Sequence, residues 1–499
     1  MNGIVLRKTL MARYPETIDS VLLANKFSDR DLSSSKLMNT SSGVCCRDNL
    51  LISAELKQTM PLTPLASFPF RRGALLVVIA LLGGNISVAA PAHSVRANGK
   101  SGGASKVFED ARSRIYQIRT LTSDGDAENS TGSGFLVGKD GLIATNWHVV
   151  SDNILDPGRY RLEAIRTDGS HLPVSVVAID SMNDLALLKA ADETGLPFTI
   201  YQSPLVKGDK GFSLGNPSGI GFTVVEGTYN GVAAKSLRGN YHFTAAINAG
   251  MSGGPALAGN GDVFGINVAR RTDSNLISFL VPADKLAALM DRARSANPTP
   301  EALLGEARQG MIDGQEMIAA DILGSSPRMQ KIAPFLLPAE YGTASRCGGA
   351  SSKEDEDGYT LESVSCLAEL SITAGRKHSV SMMWSEYRVV RNLGLDAFRF
   401  ASRLSDQFTS DTDDGGERKV VGRYVCRNSL VQLKGGTARV AICKRPYKQL
   451  DGLVDAHLRL VTLDSSEVGL VGNLVLIGFT ENNVKRLARW YLESIEWKH

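Results

Sequence analysis

Gly250-Met251-Ser252-Gly253-Gly254-Pro255 sets one hydroxyl among small residues. Glycines on both sides of Ser252 let the backbone turn tightly and aim its N–H groups at a single point. Two other stretches belong with it: Thr145-Asn146-Trp147-His148-Val149-Val150, and Asn183-Asp184-Leu185-Ala186-Leu187-Leu188-Lys189. Taken singly, each has a bland reading as a tight turn, a packed core histidine, or a turn carboxylate before a buried strand. Taken together in the order His, Asp, Ser, they meet the needs of acyl transfer near neutral pH. That chemistry requires a hydroxyl nucleophile, a base with a pKa near 7, and an acid group to orient the base. Ser252, His148 and Asp184 fill those roles, and the backbone N–H groups of Gly250, Met251 and Ser252 are expected to form the oxyanion hole.

Outward from these stretches, residues 113 to 281 alternate short Val-, Ile-, Thr- and Phe-rich runs with Gly, Asn and Asp clusters. Gly134-Phe135-Leu136-Val137 and Gly141-Leu142-Ile143-Ala144-Thr145 are examples. Many short strands at this spacing predict a mainly β sandwich or barrel. A helix is predicted over Pro282 to Arg294, with Leu286, Leu289 and Met290 at core spacing.

The same residues resemble the trypsin-like serine peptidases, and within them the HtrA/Deg type. The matching stretches are Thr131-Gly132-Ser133-Gly134-Phe135, Thr145 to His148, Asp184 to Lys189, Leu214-Gly215-Asn216-Pro217, Ser252 to Pro255 and Gly265-Ile266-Asn267, within about 110 to 290. The resemblance implies a double six-stranded β-barrel with the triad between the barrels, and it selects Asp184 rather than Asp180 as the acid. It implies that Gly265, Ile266, Asn267 and Val268 pair with an extended substrate as an added strand. It also puts uncharged Ala246 at the pocket floor, which favours small or medium apolar side chains over Lys or Arg. Two departures stand out. Met251 occupies a position where such peptidases carry Asn or Asp, and no PDZ domain is recognisable after the peptidase region. Cage assembly and chaperone roles are therefore not carried over.

Two rival readings differ in class. Gly250-Met251-Ser252-Gly253-Gly254 also fits G-x-S-x-G, the nucleophile elbow of α/β-hydrolase esterases. That fold needs a helix directly after the serine and its His downstream, and Gly253-Gly254-Pro255 is a poor helix start. The second rival is a catalytically inactive peptidase-fold binding protein, suggested by Met251.

The remaining sequence divides as follows. Residues 1–59 read as a mis-called or disordered extension, with Met60 as the expected true start, and 60–92 as a signal peptide. Its basic Arg71-Arg72 precede an apolar run to Leu82, and Ala90-Pro91-Ala92 supplies a cleavage pattern leaving His93 first. Residues 93–109 read as a flexible linker, 110–295 as the peptidase domain, 296–337 as a second linker, and 338–499 as a smaller α+β domain. Within the last, strand runs are expected at 361–373, 379–390, 422–433, 438–443 and 474–479, and a terminal helix over 484–495.

Six cysteines occur, four of them beyond the leader. A hairpin turning between Lys434 and Gly435 puts Cys426 opposite Cys443, so the expected bridges are Cys426–Cys443 and Cys347–Cys366. Export to the periplasm, or secretion, follows, with an uncleaved leader as a membrane anchor the alternative. A net charge of +3 provides no global field for nucleic acid. The expected partners are polypeptide substrates, and nothing in the sequence sets an oligomeric state. No His, Cys or acidic set has zinc spacing, the acidic runs at 353–357 and 411–414 lack EF-hand spacing, and no phosphate loop follows a strand. No metal or organic cofactor is therefore expected.

Overall fold

The computed structural model describes residues 103–270, 277–294, 298–352, 358–375, 378–408 and 419–498. The expected leader, the 1–59 extension, both acidic runs and the first two cysteines lie outside them. A short helix α1 (Ala104–Ala111) leads into β1 (Ile115–Thr122), β2 (Glu128–Gly138) and β3 (Leu142–Thr145). Helix α2 (Trp147–Leu155) follows, then β4 (Tyr160–Ile165), β5 (His171–Asp180) and β6 (Leu185–Lys189). These strands close a barrel in the order β1-β2-β3-β6-β5-β4.

A second closed barrel, β10-β11-β12-β9-β8-β7, is made of β7 (Lys210–Gly215), β8 (Thr223–Val232), β9 (Tyr241–Thr244), β10 (Pro255–Leu257), β11 (Val263–Arg270) and β12 (Ser278–Pro282). The fold is therefore mainly β with two six-stranded barrels. Helix α3 (Ala283–Ala293) buries Ala283, Leu286 and Leu289 on one face, as the apolar spacing predicts.

The stretch expected to be a linker is instead ordered. Helix α4 (Pro300–Leu323) runs for 24 residues. Thr299 caps it, accepting from the Ala302 N–H at 3.2 Å, and Pro300 opens the first turn, where its missing N–H is harmless. Leu303, Ala307, Met311, Ile318 and Ile322 are buried along it. Strands β13 (Arg328–Ile332) and β14 (Phe335–Glu340) follow and later meet β22 (Glu496–Trp497) in a small sheet.

The C-terminal region is a seven-stranded antiparallel sheet with helices, the α+β layer expected. Its strands are β15 (Arg346–Ser351), β16 (Tyr359–Thr373), β17 (Ser379–Asn392), β18 (Val425–Leu433), β19 (Gly436–Pro446), β20 (Leu453–Thr462) and β21 (Val468–Thr480), in the order β15-β16-β17-β21-β20-β19-β18. Helices α5 (Ala397–Phe408) and α6 (Glu481–Glu493) both pack on β20 and β21. The β18–β19 register turns at Lys434-Gly435 and sets Cys426 opposite Cys443; Cys347 likewise faces Cys366. Both pairs stand at disulfide distance, with Cα separations of 3.9 and 4.1 Å.

One continuous core joins the first barrel to this region. Tyr116, Trp147, Val149 and Ile154 share it with Leu303, Met311, Leu370 and Ile372. Small residues allow the close approach: a Cβ on Gly310 would meet Ser181 Oγ at 2.2 Å, and one on Gly314 would meet Ile372 Cδ1 at 2.5 Å.

Candidate active site

His148 sits in the first turn of α2, whose N-cap is Asn146. Asp184 sits in the tight turn between β5 and β6, with a left-handed φ of 59°. Such a conformation costs a non-glycine residue about 1–3 kcal/mol, so its surroundings must enforce it. They do so on several sides. Asn146 Nδ2 donates to the Asp184 carbonyl at 2.7 Å, and Asp180 accepts from the N–H and side chain of Asn183 at 3.0 and 2.9 Å. From α3, Lys285 donates to Asn183 Oδ1 at 2.7 Å; toward α4, Ser181 Oγ donates to the Ala307 carbonyl at 3.0 Å.

The turn delivers both oxygens of Asp184 to His148. Oδ1 accepts the His148 backbone N–H at 2.9 Å, and Oδ2 lies 2.7 Å from Nδ1. This fixes the ring orientation and leaves Nε2 as the working nitrogen. Desolvation opposes the charged imidazolium, but the charge and hydrogen bond of Asp184 outweigh it, and the His148 pKa is raised above 6.5. On the other side of α2's first turn, the Trp147 indole donates to the Thr373 carbonyl of β16 at 2.9 Å.

Ser252 lies on the loop between β9 and β10, where Gly250 and Gly253 have φ of 90° and 84°. A Cβ on Gly253 would stand 2.2 Å from the Ser133 carbonyl, so only glycine fits. Ser133 ties this loop to the first barrel: its N–H donates to the Ser252 carbonyl at 2.7 Å and its Oγ to the Gly250 carbonyl at 2.7 Å. The Ser252 hydroxyl donates to the Val268 carbonyl at 3.3 Å.

Several expected roles change at this loop. The Met251 N–H is already committed to the Asn248 carbonyl at 3.0 Å, so it is unavailable to an oxyanion. The backbone donors that remain are those of Gly250 and Ser252. The Met251 side chain is fully buried with Phe243, Ile247, Phe264 and Leu280 in the second-barrel core, away from the loop's polar face.

Gly265 and Ile266 cannot pair with a substrate, because β10 holds one edge of β11 at these residues and β12 the other. The side chain of Asn267 is also committed. It is fully buried, donating to the carbonyls of Leu214 and Met251 at 2.9 and 3.2 Å and accepting from Ser213 Oγ at 2.8 Å. Asn267 is thus a brace for the Ser252 loop. Past the end of β10 pairing at Ile266, Asn267 still exchanges backbone hydrogen bonds with Gly253 and Gly254, whereas the Val268 carbonyl is turned to Ser252. Ala246 is exposed between buried Ala245 and Ile247.

Two cations near Asp184 had no signal in the sequence, because distant segments supply them. The Arg238 guanidinium is buried with Nε and Nη2 unpartnered. Burial holds its pKa below the ordinary value against the pull of Asp184 and Asp180. Lys285, which also donates to the Arg238 carbonyl, is lowered in the same way by burial. Among the described residues, no His, Cys or acidic cluster could hold a metal.

Residues 132–266 match the family described as trypsin-like peptidase domain. Serine protease HTRA1 of Xenopus laevis is 33% identical over 184 residues, covering 34% of this chain and 38% of that protein. Serine protease HTRA3 of Homo sapiens is 33% identical over 167 residues, 32% of this chain and 36% of that one. The "Probable periplasmic serine endoprotease DegP-like" of Rhizobium meliloti is 35% identical over 169 residues, 32% of each chain. The chain thus spans between 32% and 38% of the length of these relatives.

Proposed function

Starting from a chain that carries a trypsin-like peptidase domain with HtrA/Deg-type relatives, we propose that it is an exported serine endopeptidase working through His148, Asp184 and Ser252. The observation that carries the reading is the double engagement of His148 by Asp184, which leaves Nε2 unengaged by the carboxylate, together with Ser252 standing on a glycine-set turn.

In this mechanism Ser252 leaves the Val268 carbonyl by rotation about χ1, and its Oγ attacks the scissile carbonyl carbon. His148 Nε2 takes the Oγ proton, and the Asp184 carboxylate stabilises the imidazolium without itself being protonated. The oxyanion accepts from the Gly250 and Ser252 N–H groups; one such donor is worth about 3 kcal/mol in the transition state. The imidazolium then returns its proton to the leaving amine, and water, activated by the same nitrogen, hydrolyses the acyl-enzyme. The extended substrate lies along β11 beyond Ile266, where Val268 has left β10. Export is supported by the two facing cysteine pairs, which suit an oxidising compartment.

Digestion of unfolded casein by the purified full chain, beside Ser252→Ala, tests this. New peptides from the parent alone, with a transient mass increase on the peptide containing Ser252, are expected. Peptides from both proteins would reject Ser252 as nucleophile. One observation favours a second reading, a binding protein without catalysis: the resting Ser252 hydroxyl bonds Val268 rather than His148. Casein left intact by a folded parent would select that reading.

A further inference from the structure

Strand β15 (Arg346–Ser351) is one edge of the seven-stranded sheet, and among the described residues no strand pairs with its outer side. Its inner side is held by β16. The Ser352 N–H donates to the Leu361 carbonyl directly across at 2.8 Å, which fixes the phase of the ladder. Counting back in twos, Ala350, Gly348 and Arg346 turn their backbone groups to β16, and Ser351, Gly349 and Cys347 turn theirs outward. The Cα separation of 4.1 Å between Cys347 and Cys366 agrees, being that of an antiparallel pair without mutual hydrogen bonds. Gly349 and Ser351 are exposed and Cys347 is half-buried, so the outward N–H and carbonyl groups are within reach of another chain.

Sheet edges are ordinarily blunted by a proline, a bulge or a charge. The stretch Arg346-Cys347-Gly348-Gly349-Ala350-Ser351 contains no proline, and its register with β16 is unbroken. Its one charge, Arg346, is paired with Glu369 of β16. The strand is also fixed in place, because Cys347–Cys366 ties it to β16 and a chain added outside cannot peel it away. Its side chains are small, and a Cβ on Gly348 would meet nothing within 4 Å. An added strand would therefore be held through its backbone, whatever its sequence.

Position selects the occupant. Ser345, directly before the strand, gives its carbonyl to Lys235 Nζ at 2.8 Å. Lys235 belongs to the connection between β8 and β9, three residues before Arg238, one of the two cations near Asp184. The Arg238 carbonyl in turn accepts from Lys285, which bonds Asn183 beside Asp184. The edge thus begins where the C-terminal region abuts the peptidase domain, on the Asp184 side of the cleft, and three extended residues span only about 10 Å. A peptidase takes up extended backbone of varied sequence, which is what this edge recognises. From this juxtaposition we infer that β15 binds an unfolded stretch of the polypeptide substrate as an added strand, while another stretch of the same chain lies along β11. The identity of the partner rests on the peptidase reading; the free edge does not.

The test compares the full chain with Gly349→Pro, which deletes an outward N–H without touching the β16 ladder, and with Gly349→Ala, which keeps it. All three carry Ser252→Ala, so that fluorescein-labelled casein can be followed by anisotropy without cleavage. Gly349→Pro is expected to bind casein about tenfold more weakly than the parent, and Gly349→Ala about as tightly. Amide exchange over residues 346–351 of the parent is expected to slow when casein is added. With Ser252 intact, Gly349→Pro is expected to raise KM for casein and to leave hydrolysis of a hexapeptide unchanged. The proposal is overturned if Gly349→Pro binds casein as tightly as the parent, if exchange over 346–351 does not change, or if casein and hexapeptide suffer alike. It is also overturned if sedimentation finds the parent a dimer and Gly349→Pro a monomer, which assigns the edge to a second copy. Anisotropy and exchange need no cleavage, so a chain that holds casein at β15 and cuts nothing rejects the peptidase reading alone. If Gly349→Pro melts early, the exchange result on the parent decides.

Discussion

The carboxylate of Asp184 holds both the backbone and the ring of His148, so its charge and its shape can be removed separately. Asp184→Asn keeps the turn but loses the charge and favours the wrong tautomer; kcat is expected to fall about 10⁴-fold with the melting temperature little changed, read by peptide assay and calorimetry. The His148 pKa is raised above 6.5, and a general base works only when deprotonated. The acid limb of the kcat/KM profile is therefore expected to lie above pH 6.5. For stability the sign is opposite: a histidine raised on folding stabilises below its unfolded pKa, and that contribution is lost as pH rises through the folded value. Arg238→Met removes a cation beside Asp184, so the acid limb is expected to move further up; a downward move would contradict the electrostatic reading. At this scale the pairing of His148 with Asp184 was legible because each sits inside a short local pattern. The commitment of the Met251 N–H, the bracing by Asn267 and the burial of Arg238 were not, since each depends on segments that meet only after folding.

Helix α4 was misread because prolines and glycines usually punctuate structure. Pro300 occupies the first turn, where it is tolerated, and Gly310 and Gly314, one turn apart, are the points of closest packing on Ser181 and Ile372. The signals of a breaker were those of a tightly docked helix. Because Ser181 bonds the Ala307 carbonyl, α4 supports the turn that carries Asp184. Gly310→Val is expected to push Ser181 and Met182 aside, lowering kcat more than it raises KM, whereas Met311→Ala should cost about 2–5 kcal/mol of stability; denaturant melts and steady-state kinetics separate the two. The two barrels were easier to anticipate, because strand alternation and turn residues are local and the resemblance supplied their closure.

Across the whole molecule, the C-terminal region is part of the first barrel's foundation. Trp147, next to His148, is buried in the shared core and bonded to Thr373. A chain ending at residue 299 would expose that core, and is expected to aggregate or melt far below the full chain; an equally stable truncated chain would show the shared core to be dispensable. Long-range packing of this kind leaves no local trace, which is why the sequence suggested two domains and a connection. The central claim is an activated Ser252, and a fluorophosphonate serine-hydrolase probe reads it directly on the purified full chain. Labelling of the parent and not of Ser252→Ala is the predicted result; a folded parent that takes up no label would contradict it.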